Sequence, residues 1–349
     1  MIGTPLDGRG SMSSVVAAYR DGGFFERCGI LYLSPVAAGG TAKKAFVASA
    51  VWFQFLLLLV AGQVRLVHVH VASGISFWRK SMFCWLAYLF CRPVILHVHG
   101  GNFPEFFARS PAWAQRYIRA TMLRAWRVVV LSDCWVDRIG AIVPAENCVA
   151  MENPVVEWAL AKRVHEGEIR FLFLGRLERD KGVYELIEAF ARVCERAQCR
   201  LVLGGDGELK SAQALANELG IETRIDFLGW VTGDAKRRAF SDADIFVLPS
   251  HIEGLPVSML EAMHCGLPIV ICPVGSIPEV LCDGKDALFV PPGDVERLAE
   301  AMIRLAVDPA LRKRLGEAGQ RVFTHRFSTD AVLPRLENLY LAAMANSGS

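Results

Sequence analysis

The chain has no Cys-x-x-Cys pair, no Gly-x-Gly-x-x-Gly run and no period of internal self-similarity. The first absence removes the ligand spacing of zinc ribbons and of thioredoxin-like redox sites. The second removes the dinucleotide fingerprint: Gly204-Gly205-Asp206-Gly207 lacks its spacing. The third excludes solenoid repeats. Net charge is scarce as well, +2 over 349 residues. The ten cysteines, several inside apolar runs (Cys84, Cys91, Cys265, Cys272), read as reduced, mostly buried thiols of a cytosolic protein. The polar, Gly-rich opening from Met1 to Gly10 does not read as a signal peptide.

A chain of this length is too long for one ordinary core and fits two domains. At 53% hydrophobic and 21% charged it is globular rather than disordered. The small net charge conceals an asymmetry. Residues 1–165 hold 17 Lys and Arg against 9 Asp and Glu, a net of +8; the rest hold 21 against 27, a net of −6. A basic first half points toward an anionic partner, a phospholipid surface or a phosphorylated acceptor, although two independently solvated domains would show the same asymmetry. Residues 45–62 form an uncharged run of 18, long enough to be a membrane-span candidate. Ser49 and Gln54 interrupt it, however, and it runs directly into residues 64–70, which read as a buried strand. A second apolar helix from Ser81 to Phe90 follows Arg79-Lys80 and carries Phe83, Trp85, Tyr88 and Phe90. Aromatics beside cations are the composition of an interfacial helix, and no second span pairs with the first. The expectation is a helix dipping into one face of a bilayer.

Strands alternate with helices from about residue 64 onward. In the first half they are expected at Ile30–Leu33, Leu66–Val71, Val94–His97 and Val128–Leu131. The pattern breaks between Asn153 and Glu168, where Pro154 and the polar stretch from Lys162 to Glu168 read as a linker. A new series follows at Arg170–Leu174, Arg200–Leu203, Ile225–Phe227, Ile245–Leu248, Pro268–Cys272 and Ala287–Val290. Such short apolar runs are what parallel strands covered on both faces require. Between them, residues 183–197 place Val183, Leu186, Ile187, Phe190 and Val193 on one helical face. The fold class is therefore α/β, with two doubly wound Rossmann-like domains facing across a cleft. The expected boundaries are 1–155 and 168–325, with 326–349 a C-terminal helix packing across the junction.

The candidate chemistry lies at strand ends. Arg170–Leu174 runs into Gly175-Arg176-Leu177-Glu178-Arg179-Asp180-Lys181-Gly182 and then a helix. Cations in a loop just before a helix N-terminus favour an anion. Arg176 can clamp phosphate oxygens with two donors, and Lys181 can act as a point charge. After Ile245–Leu248 come Pro249-Ser250-His251-Ile252-Glu253-Gly254-Leu255-Pro256 and a helix containing Glu261, with Pro256 expected at its first position. Bare N–H groups near Gly254 can hold a sugar hydroxyl or a phosphate. Either carboxylate alone would read as a solvated group at a helix start.

Together these segments resemble a known family. Glu253-x7-Glu261, with Gly175-Arg176-Leu177, Lys181-Gly182, Gly204-Gly205-Asp206-Gly207, Phe227-Leu228-Gly229 and Pro291-Pro292-Gly293-Asp294, is similar in content and order to family 4 of the retaining glycosyltransferases, also called group 1, which have the GT-B fold. The resemblance implies that Arg176 and Lys181 hold the donor diphosphate and stabilise the departing charge. It implies that Glu261 binds the donor ribose, that Glu253 with the backbone of Gly254 and Leu255 holds the transferred sugar, and that Gly229 to Val231 edge the base. In the first half, His99 matches the family's active-site histidine, while His97 reads as a satisfied structural residue. Gly8-Arg9-Gly10-Ser11-Met12 resembles the family's Gly-rich loop near the phosphates, which makes Gly10 a donor-binding position and adds Arg9 to the anionic field. The family opens with a β-strand, yet only Met1-Ile2-Gly3 precede Thr4-Pro5, so the first strand is expected to be truncated or absent.

The resemblance implies a hexosyltransferase that moves a hexose from a UDP- or GDP-sugar with retention. It needs no metal or other cofactor, because fixed cations and helix dipoles meet the charge that a divalent ion neutralises elsewhere. Asp242-Ala243-Asp244 has the spacing of a metal loop, but it precedes a buried strand and reads as a helix cap. Apolar helices and N-terminal positive charge favour a lipid-diphosphate-linked saccharide acceptor, as in bacterial surface or exopolysaccharide assembly. No nucleic acid is implied. The expected location is cytoplasmic, peripheral to the anionic inner face of the cell membrane. Two alternatives remain: a catalytically weak or dead membrane scaffold of the same fold, and an NAD-type oxidoreductase.

Overall fold

The computed structural model describes all residues except 9, 38, 100, 101, 160–166 and 346–349, and the side chain of residue 11. The expectations at Arg9 and in the linker from Lys162 to Glu166 lie outside the described residues. The chain divides into two compact units, Met1–Val156 with Phe327–Ser349, and Glu157–Arg326.

In chain order the first unit contains α1 (Ser11–Asp21), α2 (Phe24–Arg27), α3 (Thr41–Val60), β1 (Val67–Val71), α4 (Ile75–Leu89), β2 (Val94–Val98), α5 (Phe103–Arg109), α6 (Ala112–Leu123), β3 (Arg127–Val130), α7 (Asp133–Ile139) and β4 (Cys148–Ala150). Its strands form a parallel sheet in the order β1-β2-β3-β4. Every residue of β1 and β2 is buried, as in a sheet covered on both faces. The strand expected first in the chain is reduced to one residue: Ile2 bridges Leu33 on one side and Val69 on the other. The strand expected at Ile30–Leu33 shrinks with it to the single bridge at Leu33, because a strand extends only as far as its partner. Strand β4 was not anticipated; its three residues are half-buried, and the apolar run from Cys148 to Met151 is short.

Helix α4 begins six residues earlier than the apolar pattern predicts. Gly74, at φ 66°, makes the turn, and Lys80 is buried within the helix rather than marking its start. Helix α3 is held to the unit by Phe55, whose ring lies 5.6 Å from that of Phe83, and by Leu59, the two buried residues of the helix. Phe46, Phe53, Leu57 and Val60 are exposed.

The second unit runs β5 (Ile169–Leu174), α8 (Val183–Cys194), β6 (Cys199–Gly204), α9 (Leu209–Glu218), β7 (Ile225–Gly229), α10 (Gly233–Ser241), β8 (Ile245–Leu248), α11 (Val257–His264), β9 (Ile269–Ile271), α12 (Ile277–Val280), β10 (Leu288–Phe289), α13 (Val295–Val307) and α14 (Pro309–Arg326). Its parallel sheet has the order β10-β9-β8-β5-β6-β7. The chain winds outward from β5 to β7, then returns to β8 and winds the other way. The β5/β8 boundary is thus a topological switch point, where loops at the strand C-termini diverge and leave a crevice. The expected face of α8 is fully buried: Val183, Leu186, Ile187, Phe190 and Val193. Asp242 is the C-cap residue of α10, and the Asp244 carboxylate accepts the Arg170 N–H at 2.9 Å.

The last helix, α15 (Thr329–Ala345), belongs to the first unit. Pro334 sits inside it without ending it. Its buried face includes Leu336 and Tyr340, and the Tyr340 ring lies 5.1 Å from that of Phe24.

Candidate active site

In the second unit the loops after β5 and β8 flank the switch point, and backbone contact locks them together. Gly182 has φ 68°, and a Cβ there would stand 2.1 Å from the Pro249 carbonyl oxygen, so only glycine allows this approach. The His251 N–H donates to the Asp180 carbonyl at 2.9 Å, and His251 Nε2 lies 2.9 Å from Glu185 Oε1 on α8. This framework brings together two of the expected site residues. Lys181 Nζ donates to Glu253 Oε1 at 2.6 Å, across 72 positions of sequence and across the switch point. An ammonium has three donors, so Lys181 retains capacity for a phosphate oxygen while bound to Glu253.

The loop carrying Glu253 is pinned from its other side too. A Cβ on Gly275 would fall 2.2 Å from the Glu253 carbonyl oxygen, and the Ser276 N–H donates to the Gly254 carbonyl at 2.9 Å. Leu255 is buried, leaving its backbone as the group a ligand could use. Pro256 is the N-cap residue of α11, one position before the expected first helical place. Glu261, on α11, is 5% exposed and pairs with Lys236 of α10. Burial raises the Glu261 pKa, and Lys236 opposes that in part by charge and hydrogen bonding. Arg176 is the most open of the group; its guanidinium pairs with Glu178. Gly229 ends β7 at φ 65°, its carbonyl accepts the Gly205 N–H at 2.7 Å, and the Val231 side chain packs over Gly204.

Sequence reasoning missed Lys236 and His251. Lys236 stands in the run Lys236-Arg237-Arg238, with nothing local to distinguish it from its solvated neighbours.

In the first unit, Gly10 is the N-cap of α1, and His99 follows β2, half-buried; Gly100 and Gly101 lie outside the described residues. His99 does not stand alone. His68, His70 and His97 are buried beside it, with ring centroids 4.1 Å apart for His97 and His99, and 5.0 Å apart for His70 and His99. Burial, and then neighbouring cationic groups, hold His68, His70 and His99 well below the usual imidazole range, and burial takes His97 to about 3. The reading of His97 as satisfied needs correction. Its Nδ1 lies 3.3 Å from His68 Nε2, but its own Nε2 is buried without a partner among the described residues. His68, His70 and His97 present nitrogens within 4.8 Å of one another, so they could approach a metal ion. Their planes differ by only 4° to 29°, however, which sets the lone pairs side by side rather than toward one point. Lys80 is buried close by, with Nζ 3.3 Å from Met12 Sδ, and burial lowers its pKa to about 7.

The Glycosyl transferases group 1 family matches residues 157–322, the span carrying every second-unit loop described above. The second unit matches the group 1 glycosyltransferases. Among curated relatives, an uncharacterised glycosyltransferase of Methanocaldococcus jannaschii is 30% identical over 186 residues, covering 53% of this chain and 48% of that protein. A lipopolysaccharide core biosynthesis glycosyltransferase of Rhizobium meliloti is 35% identical over 160 residues, 46% of each chain. The chain thus spans about half the length of these curated relatives. Structural likeness reaches further: Anabaena HepE, solved with UDP-glucose, superposes with a TM-score of 0.77 at 17% identity, covering 98% of both chains. The fold is GT-B.

Proposed function

We propose that the protein transfers a hexose from a UDP- or GDP-sugar to a saccharide acceptor with retention of configuration. The observation that carries this reading is the Lys181–Glu253 pair seated over the β5/β8 switch point. Lys181 and Arg176 hold the diphosphate, and Lys181 meets the charge that grows as the nucleotide leaves. Glu253 and the backbone at Gly254 and Leu255 hold the sugar, Glu261 takes the ribose diol, and residues 229–231 edge the base. His99 contacts the sugar or the acceptor. Fixed cations do the electrostatic work, so no metal or cofactor enters the scheme. A relative acting in lipopolysaccharide core synthesis favours surface or exopolysaccharide assembly as the setting.

The acceptor is lipid-linked in this proposal, and the enzyme works at the cytoplasmic face of a membrane. Support comes from α3, which contains an 18-residue window of mean hydropathy 1.6 and is long and apolar enough to cross a bilayer by length and composition. Because Phe55 and Leu59 tie it to the unit, it lies along the interface with its exposed residues in lipid, and Lys43 and Lys44 at its start meet anionic headgroups.

A panel of UDP- and GDP-sugars, read by thermal stabilisation and nucleotide release, tests the reading. One donor should stabilise the chain. Lys181→Ala should lower kcat by about 10²- to 10³-fold, the size of one preorganised charge-stabilising group, with a smaller effect on donor affinity. No stabilisation by any donor, or wild-type turnover in Lys181→Ala, defeats the proposal.

A further inference from the structure

Two His-x-His pairs lie on neighbouring parallel strands, His68 and His70 on β1, His97 at the end of β2 and His99 just beyond it. The register sets His70 opposite His97, so period-two alternation puts all four on one face of the sheet. His70 Nδ1 lies 2.7 Å from His99 Nε2, a contact that requires one shared proton. The identity of the donor follows from the far side of His70. Its Nε2 is buried and has no partner among the described residues. A buried N–H without an acceptor is rarer, and costlier, than a bare lone pair. The proton of His70 therefore sits on Nδ1, which donates to His99 Nε2.

We infer that His70 is a positioning residue that holds His99 in its Nδ1–H tautomer, leaving an N–H as the only ring group His99 can offer to a substrate oxygen. The bond made by one imidazole nitrogen decides the proton on the other. The same logic repeats down the stack. His97 Nε2 is also buried and bare, so its proton sits on Nδ1, facing His68 Nε2 at 3.3 Å. His68 Nδ1 then donates to the Tyr340 oxygen at 2.7 Å. Three buried imidazoles share one tautomer and run from α15 toward His99. Burial, and then the neighbouring histidines and Lys80, hold His70 and His99 well below the usual imidazole range. His99 is thus a hydrogen-bond donor to a hydroxyl or ring oxygen of a sugar, and not a base. This inference rests on the proposed role of His99 at the substrate.

Spectra of the ring nitrogens in the full chain labelled with ¹⁵N-histidine, with His99 assigned by its loss in His99→Gln, test the tautomer without any substrate. The expected result is a protonated Nδ1 and a bare Nε2; a protonated Nε2 overturns the inference, whatever the donor panel shows. Kinetics supply the second arm. The Asn amide places an N–H where His70 Nδ1 stands, so His70→Asn should keep kcat within about threefold. His70→Phe, which only fills space, should lower kcat by roughly 10- to 100-fold, the usual effect of losing an orienting partner, at unchanged donor KM. Equal losses in the two variants would mean a packing role and overturn the inference.

Discussion

Glu261→Gln should separate binding from folding. In the proposed site Glu261 accepts the ribose diol, and a hydrogen bond to a charged acceptor contributes about 1.5–3 kcal/mol. The amide retains one acceptor oxygen, so about one such bond is lost. That corresponds to roughly 10- to 150-fold weaker nucleotide binding. Stability should move otherwise. Burial raises the Glu261 pKa above its unfolded value, so ionising the carboxyl costs stability, progressively lost as pH rises through that interval. Removing the charge removes this cost. Lys236 keeps the amide oxygen as an acceptor, and its side chain, 24% exposed, still reaches water. At neutral pH the variant should unfold at or above the wild-type temperature. Calorimetry with the nucleotide that wild type binds, beside thermal unfolding at pH 5 and pH 8, measures both. Affinity within twofold of wild type, or a clear drop in unfolding temperature at pH 8, refutes the reasoning.

The histidine stack should make the first unit acid-sensitive well above the carboxylate range. Because folding depresses the pKa values of His68, His70 and His97, the unfolded chain binds more protons below about pH 6.5. Stability is then lost as pH falls, by up to about 1.4 kcal/mol per pH unit for each imidazole. Urea unfolding between pH 7.5 and pH 5 should show this slope and a shallower one in His97→Phe; equal slopes would refute it. At the membrane, Phe46→Glu with Phe53→Glu should reduce recovery with anionic phospholipid vesicles at low salt while leaving the circular dichroism spectrum unchanged. Undiminished recovery would remove α3 from the membrane contact.

Much of the second unit was legible in the sequence because its signals are local. Apolar runs mark β5 to β10, and a glycine or proline stands wherever a loop must turn or approach another backbone, as at Gly182 and Gly275. The Lys181–Glu253 pairing was not legible, since it depends on β5 and β8 being neighbours, a fact of sheet order. Lys236 was hidden for the same reason. In the first unit, Arg79-Lys80 looked like a helix boundary because charge usually marks a surface, whereas Lys80 is buried. The histidine stack did leave a trace: two His-x-His pairs inside apolar strands put four imidazoles on one face once the strands are adjacent and parallel.

The contact between Gly182 and Pro249 limits how such a site can diversify. With the loops after β5 and β8 touching backbone to backbone, lengthening either one would force the other away and separate Lys181 from Glu253. Under the proposed function, changes in sugar preference would then come from exchanging side chains along the second loop at constant length, and libraries aimed at new donors should substitute there and avoid insertions.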